Sequence, residues 1–213
     1  MNPTGWTAST RVRTHAWWIY LAVCTVLVGA YVLVPPLKGQ PVLMNGLGFS
    51  GVVAVLAGMR IYRPRARGAW LCFALGLSLQ LAGDVYTYSI RELGHVNVPF
   101  PSVGDAMYLL VYPLLMCGML MLVRSRNRGA DGPGLIDSLI ISLGLGLILA
   151  TQLLTPYLHD HSLPLVPKLV SIAYPVGDIM LLGAAIRLAV DTGRRRPSFY
   201  LVIASIVTLL ITD

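Results

Sequence analysis

The sequence predicts an all-α fold, a polytopic transmembrane bundle of about seven helices with its N-terminus in the cytoplasm. Three observations carry this. With 56% hydrophobic and 12% charged residues over 213 positions, and a mean hydropathy of +0.72, the chain is too apolar for a soluble domain of its size. Its charges are clustered between apolar runs of about 20 residues, the length that crosses a bilayer core roughly 30 Å thick. And the basic clusters fall in every second gap, as they do when arginine-rich loops stay inside.

The apolar runs are Ala16–Val34, Leu43–Met59, Ala69–Ser89, Val103–Val123, Gly134–Thr155, Leu165–Ile186 and Ser198–Thr212. The first follows Arg11 and Arg13, and Trp17, Trp18 and Tyr20 form an interfacial belt at its start. A signal peptide ending near Val28-Gly29-Ala30 also fits the opening residues, but the run continues through Val34 and so favours an uncleaved helix. Residues 1–15 are then a cytoplasmic tail, and 16–213 a membrane domain with no soluble domain in it. In the second run Gly48 and Gly51 offer a close-packing face, as do Gly146 and Ala150 in the fifth.

Between runs, Arg60–Gly68, Arg124–Pro133 and Arg187–Pro197 are tight turns rich in arginine, glycine and proline. They pair runs two and three, four and five, and six and seven as hairpins. All basic residues except Lys38, Arg91 and Lys168 lie on this inner side. The net charge of +7 is therefore spent at helix ends facing headgroups, and nucleic acid is excluded as a partner because no folded domain presents a basic face. The expected partners are the lipid bilayer, a small-molecule signal and a second copy of the chain in a homodimer. The seventh run spans only about 22 Å at 1.5 Å per residue. It leaves Asp213 at the outer headgroup level, which predicts a longer membrane region.

Two internal similarities stand out. Aligning Tyr112-Pro113 with Tyr174-Pro175 brings runs four and six into register, and Trp70 to Asp84 resembles Phe199 to Asp213 in spacing.

Ionisable groups inside a span cost roughly 2.5–3.5 kcal/mol at its centre on insertion scales, so each aspartate needs a reason. Asp178 is the deepest, one turn below Tyr174 and beside Pro175, which releases a backbone carbonyl. These groups make a small polar site; the alternative is a hydrogen bond that merely holds neighbouring helices. Asp84 and Asp105 sit at one outer level and could hold a cation or a cationic ligand. Ser102-x-x-Asp105 also has the form of a capping box, whereas Asp84 lies at a helix C-terminus where the dipole disfavours an anion. The candidate ligand-binding residues are thus Asp178, Tyr174, Asp84, Asp105 and Tyr112. Asp137, in the first turn of run five, is structural.

His95, His159 and His161 are weak metal candidates in outer loops, with no defining ligand spacing. Cys24, Cys72 and Cys117 lie inside apolar runs and are expected to pack as small hydrophobes, with no disulfide framework or metal site in their spacing. No phosphate loop, nucleophile elbow or zinc-protease signature is present, so neither an enzymatic activity nor a cofactor is expected.

Gly83-Asp84-Val85-Tyr86, then Pro99-Phe100-Pro101-Ser102-Val103-Gly104-Asp105-Ala106-Met107-Tyr108, Tyr112-Pro113 and Tyr174-Pro175-Val176-Gly177-Asp178 together resemble a known arrangement. It is the N-terminal multi-pass membrane region of actinobacterial signalling proteins, especially cyclic-di-GMP enzymes with GGDEF and EAL domains, and related sensor kinases. The resemblance covers roughly residues 16–213. It implies a sensory or anchoring module in the bacterial inner membrane, followed in such proteins by more helices and an output domain. This sequence holds no GGDEF or EAL motif, so neither cyclase nor phosphodiesterase activity is carried over. Two other functions fit the residues: a transporter with a midplane site at Asp178, and an inert membrane fragment in which the aspartates affect stability alone.

Overall fold

The computed structural model describes residues 7–33, 40–93, 97–126, 164–190 and 197–212, together with 140, 141, 143, 144, 146–148 and 151. Among them the regular structure is helical throughout: α1 (Thr7–Leu33), α2 (Gln40–Tyr62), α3 (Arg67–Tyr88), α4 (Val103–Arg126), α5 (Leu165–Val190) and α6 (Pro197–Thr212). A five-residue π-turn, Ser89–Leu93, extends α3. The described positions of the fifth apolar run are helical as well. Four helices are long and apolar enough to cross a membrane: Pro41–Tyr62, Arg67–Arg91, Val103–Ser125 and Leu165–Val190.

The helices overrun the apolar stretches at their ends. α1 starts at Thr7, so the expected tail of residues 1–15 is helical from there on, and α5 continues past Arg187 to Val190. Arginine propagates a helix well, and its long stem lets the charge reach the interface from within the last turns. Expected runs were bounded by where charge begins, whereas helices stop where backbone geometry changes. α2 shows this: Arg63 takes a left-handed φ of 42°, its N–H donates to the Met59 carbonyl at 3.2 Å, and Pro64 blocks a further turn. Hydroxyls inside the helices bond back to their own backbone, as Thr25 does to Leu21 O at 2.9 Å and Ser78 to Ala74 O at 2.8 Å, so these side chains are satisfied without water.

The chain divides into two compact units, residues 1–47 and 48–213. In the first, α1 presents Ile19, Val23 and Val26 outward. The second holds the core and every long-range side-chain bond described below. Gly48 lies against Leu81, 3.3 Å from where its Cβ would be; Gly51, expected to pack likewise, has no described residue within 4 Å of its Cβ position.

Packing registers give the helix directions. Along α3, Gly68, Phe73, Gly76 and Gly83 meet Met121, Gly118, Leu115 and Tyr108 of α4 in turn, so the two helices are antiparallel. Between α4 and α5 the order is preserved: Asp105 meets Tyr174, and Tyr112 meets Gly177 and Asp178, so these two are parallel. The apolar core gathers where the arginine-bearing ends lie: Phe73, Met119, Val123, Leu181, Ala185, Leu188, Phe199 and Ile206 are buried together there.

Candidate functional site

The other half of the unit is polar, and it is built from three Gly-Asp pairs, the only ones in the sequence: Gly83-Asp84 on α3, Gly104-Asp105 on α4 and Gly177-Asp178 on α5. Each aspartate accepts a hydrogen bond from a tyrosine on a different helix. The Tyr108 hydroxyl of α4 donates to Asp84 Oδ1 of α3, Tyr112 of α4 to Asp178 Oδ1 of α5, and Tyr174 of α5 to Asp105 Oδ1 of α4, each at 2.9 Å. The α4–α5 pair is reciprocal, each helix supplying one donor and one acceptor. The Tyr112 and Tyr174 rings meet edge to face between the two bonds, with centroids 6.4 Å apart.

The glycines make room for the rings. A Cβ on Gly83 would lie 2.5 Å from the Tyr108 ring, and one on Gly177 would lie 2.7 Å from that of Tyr112. In both cases the ring rests on the backbone of the glycine while its hydroxyl meets the next residue. Gly104 instead faces Thr87, with Thr87 Oγ1 3.1 Å from its Cβ position.

Asp105 carries two tasks at once. Its Oδ2 accepts from the Ser102 N–H at 2.7 Å and the Ser102 hydroxyl at 2.8 Å, the capping box expected of Ser102-x-x-Asp105, while Oδ1 takes the tyrosine. Asp84 takes the Tyr108 hydroxyl, and Gly104, next to Asp105, packs against Thr87 of α3, so the C-terminal end of α3 and the N-terminal end of α4 lie side by side. Tyr108 was not singled out from the sequence. Its signal was present, since Asp105, Tyr108 and Tyr112 are spaced i, i+3, i+7 and so lie along one face of α4.

One expected pairing differs. Asp178 and Tyr174 share a helix face, but Tyr174 bonds Asp105 and Asp178 is met by Tyr112. Helical side chains lean toward their own N-terminus, which carries the Tyr174 hydroxyl away from Asp178. A cavity of about 200 Å³ adjoins the two α4 tyrosines, lined by Gln80, Tyr108, Val111, Tyr112 and Leu209. Among the described residues no three histidine, cysteine or acidic side chains gather as metal ligands; His95, His159, His161 and Asp137 lie outside those residues.

The chain matches no protein-family model, no curated protein and no solved structure. Phenol-to-carboxylate bonds strengthen where water is scarce and are directional, so three of them fix the rotation and height of α3, α4 and α5 against one another. They can also be exchanged: a ligand that offers a competing donor to a carboxylate, or a competing acceptor to a phenol, breaks one helix contact as it binds.

Proposed function

We propose that the chain is a membrane-embedded sensory module of a bacterial signal-transduction protein, placed in the inner membrane with its N-terminus inside. The observation that supports this reading is the reciprocal bonding of Tyr112 to Asp178 and Tyr174 to Asp105 across parallel helices. A signal reaching Asp178, Tyr174, Asp84, Asp105 or Tyr112 would exchange these bonds and shift α5 against α4. Both helices continue from the bonded layer to basic residues, Arg124 on α4 and Arg187 on α5, so such a shift would be delivered to the cytoplasmic ends. A ligand moves such an equilibrium only by its different affinity for the two arrangements. The resemblance noted above supports the same assignment.

Reading the coding DNA beyond Asp213 tests this directly. A frame that continues into further crossings and a GGDEF, EAL or kinase domain is the expected result. A stop codon there would count against a sensory module with an output of its own.

A second reading is favoured by the position of Asp178 at the middle of α5, beside Pro175, with the cavity next to its partner Tyr112. A mid-span carboxylate is where transporters hold a substrate or coupling ion. It predicts uptake of a small molecule or ion that Asp178→Asn abolishes.

A further inference from the structure

A second feature of the α3–α4 hairpin is independent of the aspartates. Cys72 of α3 and Cys117 of α4 are neighbouring thiols at one level of the hairpin. The packing register places them opposite one another without reference to the thiols, since Gly68 meets Met121, and Gly118 receives the Phe73 ring. The same contacts keep the backbones close: a Cβ on Gly118 would be 2.6 Å from that ring, and one on Gly68 would be 3.3 Å from the Met121 sulfur. A disulfide requires Cα atoms within about 7 Å of each other, and neighbouring cysteines on closely packed helices are the arrangement that can meet this.

Access is from the hydrocarbon side. Cys117 is exposed and Cys72 partly so, and their neighbours Leu71, Leu120 and Met121 are exposed large hydrophobics, as on a surface facing lipid tails. Cys72 lies five residues from Arg67, about 8 Å along the helix at 1.5 Å per residue, so the pair sits below the basic interface and within reach of a bilayer-dissolved reagent.

We propose that Cys72 and Cys117 form a reversible dithiol–disulfide pair whose oxidant is a quinone dissolved in the bilayer. Each sulfur gives up its proton as the S–S bond forms. The two electrons and two protons pass to the quinone, which leaves as the hydroquinone. In the oxidised form α3 and α4 are covalently tied near their basic ends, on the helix that carries Asp105, Tyr108 and Tyr112.

The test uses the full chain in lipid nanodiscs, reduced, freed of reductant and exposed to a short-chain, fully substituted benzoquinone. That quinone has no open ring position for thiol addition. Non-reducing proteolysis with mass spectrometry should find an intramolecular Cys72–Cys117 link in most molecules, matched by hydroquinone absorbance and reversed by dithiothreitol. The link should be lost in both Cys72→Ser and Cys117→Ser. Two thiols that remain fully alkylatable after quinone treatment, or links formed between molecules through Cys117, would overturn the pair. A link formed by aqueous peroxide but not by the quinone would overturn the oxidant.

Discussion

At Gly177 the backbone of α5 is the surface on which the Tyr112 ring rests, and the next residue accepts the hydrogen bond of the Tyr112 hydroxyl. Gly177→Ala therefore does more than add a methyl group: it pushes the ring off the position from which its hydroxyl reaches Asp178. Overpacking of this kind costs typically about 1–3 kcal/mol, and Tyr112→Phe, which removes the bond but keeps the ring, should cost about 1 kcal/mol, the range of interhelical bonds in membranes. Thermal unfolding in detergent of Gly177→Ala, Tyr112→Phe, Asp178→Asn and the Tyr112→Phe/Asp178→Asn double variant checks both. Gly177→Ala should lose more than Tyr112→Phe, and the double variant should lose less than the two singles together. Additive losses would mean that the 2.9 Å contact carries no coupling. The aspartates were legible in the sequence because a charge in an apolar run has to be explained. Their partners were not, since which helix faces which is decided by packing. The three Gly-Asp pairs were readable as text, but the use of the glycine as a seat for a ring on another helix is visible only in three dimensions.

Among the elements, α3 and α4 form the most extensively packed pair, and their contact depends on absent side chains. Phe73 of α3 lies against Gly118 of α4, and Leu115 fills the space beside Gly76. Gly118→Val would drive the Phe73 ring out of the apolar core that it shares with Met119 and Leu181, at a cost of about 1–3 kcal/mol. Gly58→Ala on α2 adds its methyl group to open space and should leave the melting temperature unchanged or slightly raised, since alanine is the better helix former. The same melting measurement separates the two outcomes, and equal effects would contradict the packing register. Helix existence was legible from composition to within a few residues at most ends, because apolar length and helix length are both set by the bilayer. The alignment of Tyr112-Pro113 with Tyr174-Pro175 had a geometric meaning as well: the two helices lie parallel and bond each other through those tyrosines. That these similar segments are also neighbours was beyond the sequence.

At the scale of the molecule, it is the larger unit that sorts charge and polarity along one axis. The unit formed by residues 48–213 keeps its apolar core toward the ends that carry Arg67, Arg124 and Arg187, and its Asp–Tyr bridges toward the opposite ends. That division suits a module whose polar layer faces the outside, because arginine-rich ends are retained in the cytoplasm. It predicts the orientation of the hairpin, which single cysteines can report in a background with Cys24, Cys72 and Cys117 changed to serine. Asn97→Cys, in the exposed connection between α3 and α4, should react with a membrane-impermeant maleimide on intact cells whose outer barrier has been opened. Arg65→Cys, in the turn between α2 and α3, should react only after the inner membrane is breached. The reverse pattern would put the arginines outside and the Asp–Tyr layer against the cytoplasm, so that a signal would have to arrive from within the cell. Labelling of both sites on intact cells would instead mean that the Arg67–Arg91 helix does not cross the bilayer, and that the charge sorting along the bundle has some other cause than membrane insertion.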